Sequence, residues 1–325
     1  MTAAGLLVFP LVVLAPALPT ANAGHVQANG ITIAYESFGA GGRGTVLLIA
    51  GTGMQLTGWP VELRQELVKR GYRVVVFDNR DVGLSTRFDE AGLPDFAAVM
   101  KARAEGKPAP LPYTLYDMAA DAVGLLDALG VRQAHIAGVS MGGMIAQLVA
   151  TDHPEHTLSL TTMMASDGKP GLPIIAKPER LPQTPPPGPD AGRQAYIDYQ
   201  VKVRTAIAGP KYVPDEQELI RKISRDVERS FCIPCEARQG AASLFTALED
   251  RRAKLKTIRV PTVVVHGDED PLVPVEAARD VAATIPGAEL RLIPGMGHDI
   301  PPALVTAVAD AITTAATRAR SEKRR

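Results

Sequence analysis

The chain has 325 residues, with 35 Lys plus Arg against 35 Asp plus Glu and 46% apolar side chains. That length suits one large α/β domain with an insertion, and the ordinary apolar content suffices for a sizeable core. Zero net charge supplies no field for nucleic acid or an anionic membrane, so neither is an expected partner and a small neutral ligand is the default.

At the N-terminus, residues 6–18 are apolar but interrupted by Pro10 and Pro16, and Ala21-Asn22-Ala23 offers small residues before Gly24. The pattern resembles a secretory signal peptide cleaved after Ala23, so residues 1–23 read as a leader and the protein as exported, periplasmic or secreted. No Lys or Arg precedes the apolar run. The alternative is therefore a misassigned start and a cytoplasmic protein. The run is shorter than the about 20 residues of a membrane span, and no other stretch resembles one.

From there, residues 31–36 alternate (Ile31, Ile33, Tyr35) and predict an antiparallel edge strand. A Gly-rich turn at 39–44 leads into residues 45–50, a continuous apolar run suited to a strand buried on both faces of a parallel sheet. A helix follows Pro60 and stops at Gly71; a strand at 73–77 and a helix at 116–129 come next. Further strands are expected at 158–163, 260–265 and 289–293, with helices at 275–285 and 303–315. Strands alternating with helices at this spacing predict an open, mostly parallel sheet covered on both faces.

Two stretches break the alternation. Residues 86–112 carry weak pattern and exceed ordinary connections. Residues 166–256 form a longer insertion, Pro-rich at 181–189 and helical in pattern at 191–207 and 214–229. It reads as a helical cap over the carboxyl ends of the strands, where open α/β sheets place their ligands. The expected organisation is thus a core of residues 24–165 and 257–318, a cap of residues 166–256, and a basic tail of residues 319–325. The insertion also holds the chain's two cysteines, Cys232 and Cys235. Without a second pair or a βαβ context, a redox or zinc role is disfavoured. They form a local disulfide if the protein is exported, and are free thiols otherwise.

The motif that can carry chemistry is Gly138-Val139-Ser140-Met141-Gly142, between the apolar residues 134–137 and a helix-like run. A G-x-S-x-G in a strand–turn–helix setting is a nucleophile elbow, although a Gly-rich turn packing a helix on a strand gives the same letters. A serine hydroxyl needs a base, and the base an orienting acid. In this order of elements the acid and then the histidine follow the serine. His266 and His298 lie far enough downstream; His266 ends a strand and reads as structural, whereas His298 sits in the flexible Gly295-Met296-Gly297-His298 loop and is the base. The turn His266-Gly267-Asp268-Glu269-Asp270-Pro271 supplies the acid. Asp270, held extended by Pro271, is the choice and Asp268 the runner-up. Oxyanion N–H groups are expected from Met141 and from Thr52 in the Gly51-Thr52-Gly53-Met54 loop. That loop lacks the Gly-Lys-Ser/Thr and G-x-G-x-x-G patterns of nucleotide sites.

Together with Leu47-Leu48-Ile49-Ala50-Gly51, Gly58-Trp59-Pro60, Asp78-Asn79-Arg80-Asp81-Val82-Gly83-Leu84-Ser85 and Ile293-Pro294-Gly295-Met296-Gly297-His298, these motifs make the chain resemble the α/β-hydrolase fold superfamily. Within it, the similarity is to the branch of serine esterases that contains aclacinomycin methylesterase, over about residues 26–317 outside the cap. The resemblance implies Ser140, Asp270 and His298 as a triad and Thr52 and Met141 as oxyanion donors, with no cofactor and no metal. Many members carry His-Gly where this chain has Ala50-Gly51, which alters the polarity beside the loop but not its backbone donors. Residues 78–85 read as a structural turn network, and Trp59 either lines the acyl pocket or packs at a helix start. The expected activity is hydrolysis of a small-molecule carboxylic ester through an acyl-enzyme. The alternatives are a proline iminopeptidase-type aminopeptidase, a lactonase, a haloperoxidase-like enzyme, or a ligand-binding protein with a near-inert triad.

Overall fold

The computed structural model describes residues 22–322. The expected leader up to residue 21 and residues 323–325 of the basic tail lie outside the described residues. Eight strands form one sheet in the order β1-β2-β4-β3-β5-β6-β7-β8. They are β1 (Asn22–Ala28), β2 (Ile31–Phe38), β3 (Thr45–Ile49), β4 (Arg73–Phe77), β5 (Ala134–Val139), β6 (Thr157–Met163), β7 (Thr262–Gly267) and β8 (Glu289–Ile293). From β4 onward in that order all pairings are parallel, while β2 runs antiparallel to both β1 and β4.

The expected edge strand is therefore second in the sheet, and β1 is the edge. Asn29 and Gly30, both at positive φ (49° and 77°), close the β1–β2 hairpin. A two-residue Asn-Gly turn of this kind matches the twist of the flanking strands. Asn22 and Ala23, placed at the end of the expected leader, pair with Ser37 and Glu36.

The helices are α1 (Val61–Lys69), α2 (Phe96–Ala104), α3 (Leu115–Ala128), α4 (Met141–Asp152), α5 (Arg193–Ile207), α6 (Glu216–Arg229), α7 (Ile233–Ala247), α8 (Arg252–Leu255), α9 (Val275–Thr284) and α10 (Val305–Glu322). Strand residues alternate between two cores. Val46 and Leu48 pack with Leu63 and Leu67 of α1 and Val308 and Ile312 of α10. Leu47 and Ile49 pack on the opposite face with residues of α3, α4 and α9. Such two-sided burial is why β3 reads as an unbroken apolar run. No helix among the described residues is long and apolar enough to cross a membrane.

Three helices escaped the sequence pattern: α2, α7 and the four-residue α8. α2 lies within residues 86–112 and buries only Val99 and Ala102. α7 begins at the cysteine pair, with Cys232 as its N-cap and Pro234 in its first turn. Cys232 and Cys235 form a disulfide, with their Cα atoms 5.3 Å apart. Residues 181–189 hold neither helix nor strand, as their prolines require.

Residues 78–85 form a turn network, and it is also what ties the inserted helices down. Asp78 is fully buried; it accepts from the N–H groups of Leu56 and Leu84 and pairs with Arg229 of α6 at 2.8 Å. Arg80 pairs with Asp121 of α3 through two bonds of 2.6 Å. Asp81, also buried, accepts from the Phe88 N–H, the Tyr113 hydroxyl and two nitrogens of Arg238 on α7. Arg238 is only 1% exposed, and its bonds to Asp81 raise its pKa. Burying such a pair gains little over an apolar pair, but breaking it leaves an uncompensated charge. Arg238→Met should accordingly cost about 3–5 kcal/mol of unfolding free energy. A urea midpoint unchanged from wild type would contradict that role.

Candidate active site

The elbow is built from backbone that tolerates no side chain. Gly138 is next to last in β5, and a Cβ there would land on the Gly142 carbonyl oxygen. A Cβ at Gly142 would in turn land on the carbonyl oxygens of Ile49 and Ala50. The first turn of α4 thus rests directly on the end of β3. Ser140, between them, adopts φ 56° and ψ −124°. A non-glycine residue held there costs of order 1–3 kcal/mol, and such strain concentrates at functional sites. Its N–H bonds the Met163 carbonyl at 2.8 Å, which extends the ladder to β6, and its own carbonyl accepts from Gly143 and Met144. The serine is left at the tip of the turn, partly exposed.

The expected oxyanion residues Met141 and Thr52 belong to the two segments that meet at that tip, Met141 directly after the serine and Thr52 directly after Gly51. Met141 is the first residue of α4, so its N–H lacks an acceptor within the helix and points with the positive end of the helix dipole. Gly51 packs against the serine: a Cβ there would stand 3.3 Å from Ser140 Cβ. Thr52 follows it. Gly53, next in the loop, donates its N–H to Gln239 Oε1 at 2.8 Å. Gln239 is fully buried on α7, and its Nε2 donates to the Arg80 carbonyl at 2.6 Å. It therefore holds the expected oxyanion loop to the turn network. Sequence reading missed Gln239 because α7 itself was not recognised.

The acidic turn sorts its three carboxylates by partner. Asp268 is exposed and accepts the Gly295 N–H at 2.7 Å, which staples the histidine loop. Glu269 pairs with Lys177 at 2.6 Å, and that contact lowers its pKa. Asp270 is buried; its Oδ1 accepts the N–H groups of Leu272 and Val273, and its Oδ2 lies 2.7 Å from His298 Nδ1. Burial alone would raise the pKa of Asp270. The charge and hydrogen bond of His298 outweigh it, with help from His266 and the Val273 N–H, and hold the carboxyl below its usual value. An ionised Asp270 accepting from Nδ1–H leaves Nε2 of His298 as a proton acceptor.

His266 is fully buried, 3.5 Å from Asp270 Oδ2, with Nε2 3.0 Å from the Val273 carbonyl. Burial lowers its pKa. It supports the Asp270 turn from below, in keeping with the structural reading.

His298 is anchored from the inserted segment as well. Its backbone N–H bonds the carbonyl of Ile207, the last residue of α5, at 2.8 Å. Gly209 and Gly297 are in backbone contact there, with no room for a Cβ on either. Met296 of the histidine loop packs in the same apolar cluster as Val139, just before the serine. The structure thus joins Asp270 to His298 directly and places His298 and Ser140 both at the carboxyl ends of the parallel strands. Among the described residues the Ser140 hydroxyl makes no hydrogen bond, and catalytic bonds of this kind often tighten only around substrate.

Trp59 has no accessible surface and packs with Leu56, Leu63 and Leu67 around α1. Of its two expected roles, helix-start packing is the one this position fits; a pocket wall would need an exposed face. Of the two candidate acids, Asp270→Asn should lower kcat on a chromogenic ester about 10⁴-fold by disturbing the imidazole tautomer. Asp268→Asn should remain within a few-fold of wild type. The reverse ranking would make Asp268 the acid.

Comparison with known proteins agrees with the fold. Residues 46–311 match the alpha/beta hydrolase family. Rhodomycin D methylesterase DauP of Streptomyces sp. (strain C5) is 30% identical over 304 residues, covering 87% of this chain and 94% of the relative. Rhodomycin D methylesterase DnrP of Streptomyces peucetius is 30% identical over 301 residues, with the same coverage. Among solved structures, the meta-cleavage product hydrolase of Pseudomonas fluorescens IP01 superposes with a TM-score of 0.68 at 19% identity, covering 91% of this chain and 98% of that one. At that identity the likeness concerns the fold alone. With its eight-stranded sheet, its glycine-framed serine turn and a match across most of its length, the chain belongs to the alpha/beta hydrolase family.

Proposed function

We propose that the protein is a serine hydrolase of carboxylic esters, with Ser140, His298 and Asp270 as its triad. The observation that carries this reading is the 2.7 Å bond from His298 Nδ1 to the buried Asp270 carboxylate, at the carboxyl end of the parallel strands from which the strained Ser140 turn also emerges. Nε2 of His298 takes the Ser140 proton as Oγ attacks the ester carbonyl. The carbonyl oxygen becomes an oxyanion beside the N–H groups of Thr52 and Met141, each such donor being worth roughly 3 kcal/mol of barrier. The imidazolium, steadied by Asp270, returns its proton to the departing alcohol. Water activated by the same histidine then releases the acid from the acyl-serine.

The two rhodomycin D methylesterases favour methyl or other small alkyl esters as the substrate class. In this reading α5, α6 and α7 act as a cap whose contacts shape the acid-binding side of the site. Support comes from the anchoring of both reactive loops by that segment, His298 by Ile207 and Gly53 by Gln239.

Ser140→Ala should lower kcat on p-nitrophenyl acetate by about 10⁶-fold while leaving the fold intact, as loss of a triad nucleophile does elsewhere. Undiminished hydrolysis by a folded Ser140→Ala protein would overturn the assignment.

A further inference from the structure

Glu236, in the first turn of α7, is a partly buried carboxylate that the proposed mechanism does not use. It lies directly over the expected oxyanion loop: a Cβ on Gly53 would stand 2.9 Å from Glu236 Cδ and 3.0 Å from its Oε1. Gly53, at φ 66°, is thus the residue that lets this carboxylate approach. Neutral donors hold it in place. The Tyr196 hydroxyl bonds Oε2 at 2.6 Å, and Gln200 Nε2 bonds Oε1 at 3.2 Å.

Among the described residues no cation pairs with it. The arginines of the turn network and of α6 and α7 that pair with buried carboxylates are committed elsewhere: Arg229 to Asp78, Arg238 to Asp81, and Arg80 to Asp121. Arg204 acts on Tyr196 electrostatically but forms no ion pair with Glu236. Taking a carboxylate partly out of water is unfavourable unless it is paired. This one also stands beside the place where negative charge would develop during turnover, where its field opposes catalysis. Both costs are offset if the substrate itself brings the positive charge.

We propose that Glu236 is a specificity-determining residue that binds a protonated amine on the substrate, so that the preferred esters carry an ammonium group on the acid side. Tyr196 and Gln200 aim the carboxylate, and Gly53 lets it stand against the expected oxyanion loop. The inference rests on the ester-hydrolase reading and narrows its substrate class.

The test compares methyl ω-aminoalkanoates with the matching ω-hydroxyalkanoates, two to six carbons between the carbonyl and the terminal group, at neutral pH. At its best chain length, wild-type protein should prefer the ammonium ester by about 10- to 100-fold in kcat/KM, the worth of one charged hydrogen bond. Glu236→Gln should collapse that ratio toward one. Calorimetry with n-hexylammonium supplies a readout independent of turnover, and Glu236→Gln should weaken that binding by about 10-fold or more. A wild-type ratio near one at every chain length overturns the proposal, as does an equal loss on both series in Glu236→Gln. If hydroxy esters are cleaved without that preference, Glu236 loses its role while the esterase reading stands. If no ester is cleaved by wild type but hexylammonium binds through Glu236, the esterase reading fails and the ammonium site stands. Absence of both turnover and binding overturns both.

Discussion

The first turn of α4 sits on the end of β3 with backbone against backbone, and the site depends on that contact. Gly142 leaves no space above the Ile49 and Ala50 carbonyls, and Gly138 none below the Gly142 carbonyl. A chain that climbs out of β5 and turns this tightly into a helix must pass through the conformation seen at Ser140, φ 56°. The strain is held by the packing of β5 and α4 in the apolar cores on both faces of the sheet. The same approach sets the helix N-terminus and its serine against Gly51, at the start of the expected oxyanion loop.

Electrostatics then binds the inserted helices to that region. Asp78 and Asp81 are fully buried, and each is completed by an arginine from the insertion, Arg229 and Arg238. Such pairs specify where a segment docks more than they add to net stability. Docking has chemical consequences because α7 also carries Gln239, which bonds Gly53, and α5 ends on the His298 loop. A displacement of the inserted segment would therefore be felt at the expected oxyanion loop and at the histidine together.

Legibility in the sequence followed physical cause. β3 and β4 were readable almost to the residue, since strands buried on two faces leave continuous apolar runs, whereas half-buried β8 at the sheet edge was readable from its alternating Leu290 and Leu292. The glycine-framed serine, the histidine loop and the acidic turn were readable because their chemistry demands rare residue combinations in a set order. Choosing Asp270 over Asp268 used only the neighbouring proline, and the bond to His298 agrees with it. By contrast α2 and α7 pack through few apolar residues or through polar anchors, so they lack a periodic stripe. The edge strand β1 was hidden by its overlap with the leader pattern, although Asn29-Gly30 was a usable hairpin signal. Partners that meet only in three dimensions, such as Gln239 with Gly53 or Glu236 with Tyr196, leave no local trace.

The central claim is that the strained turn presents a reactive nucleophile. Incubation with a fluorophosphonate followed by peptide mass mapping tests it most directly, because such probes phosphonylate only an activated serine. The predicted result is one adduct per chain, on Ser140 and on no other of the chain's serines. An unlabelled protein, or an adduct on a different residue, would contradict it.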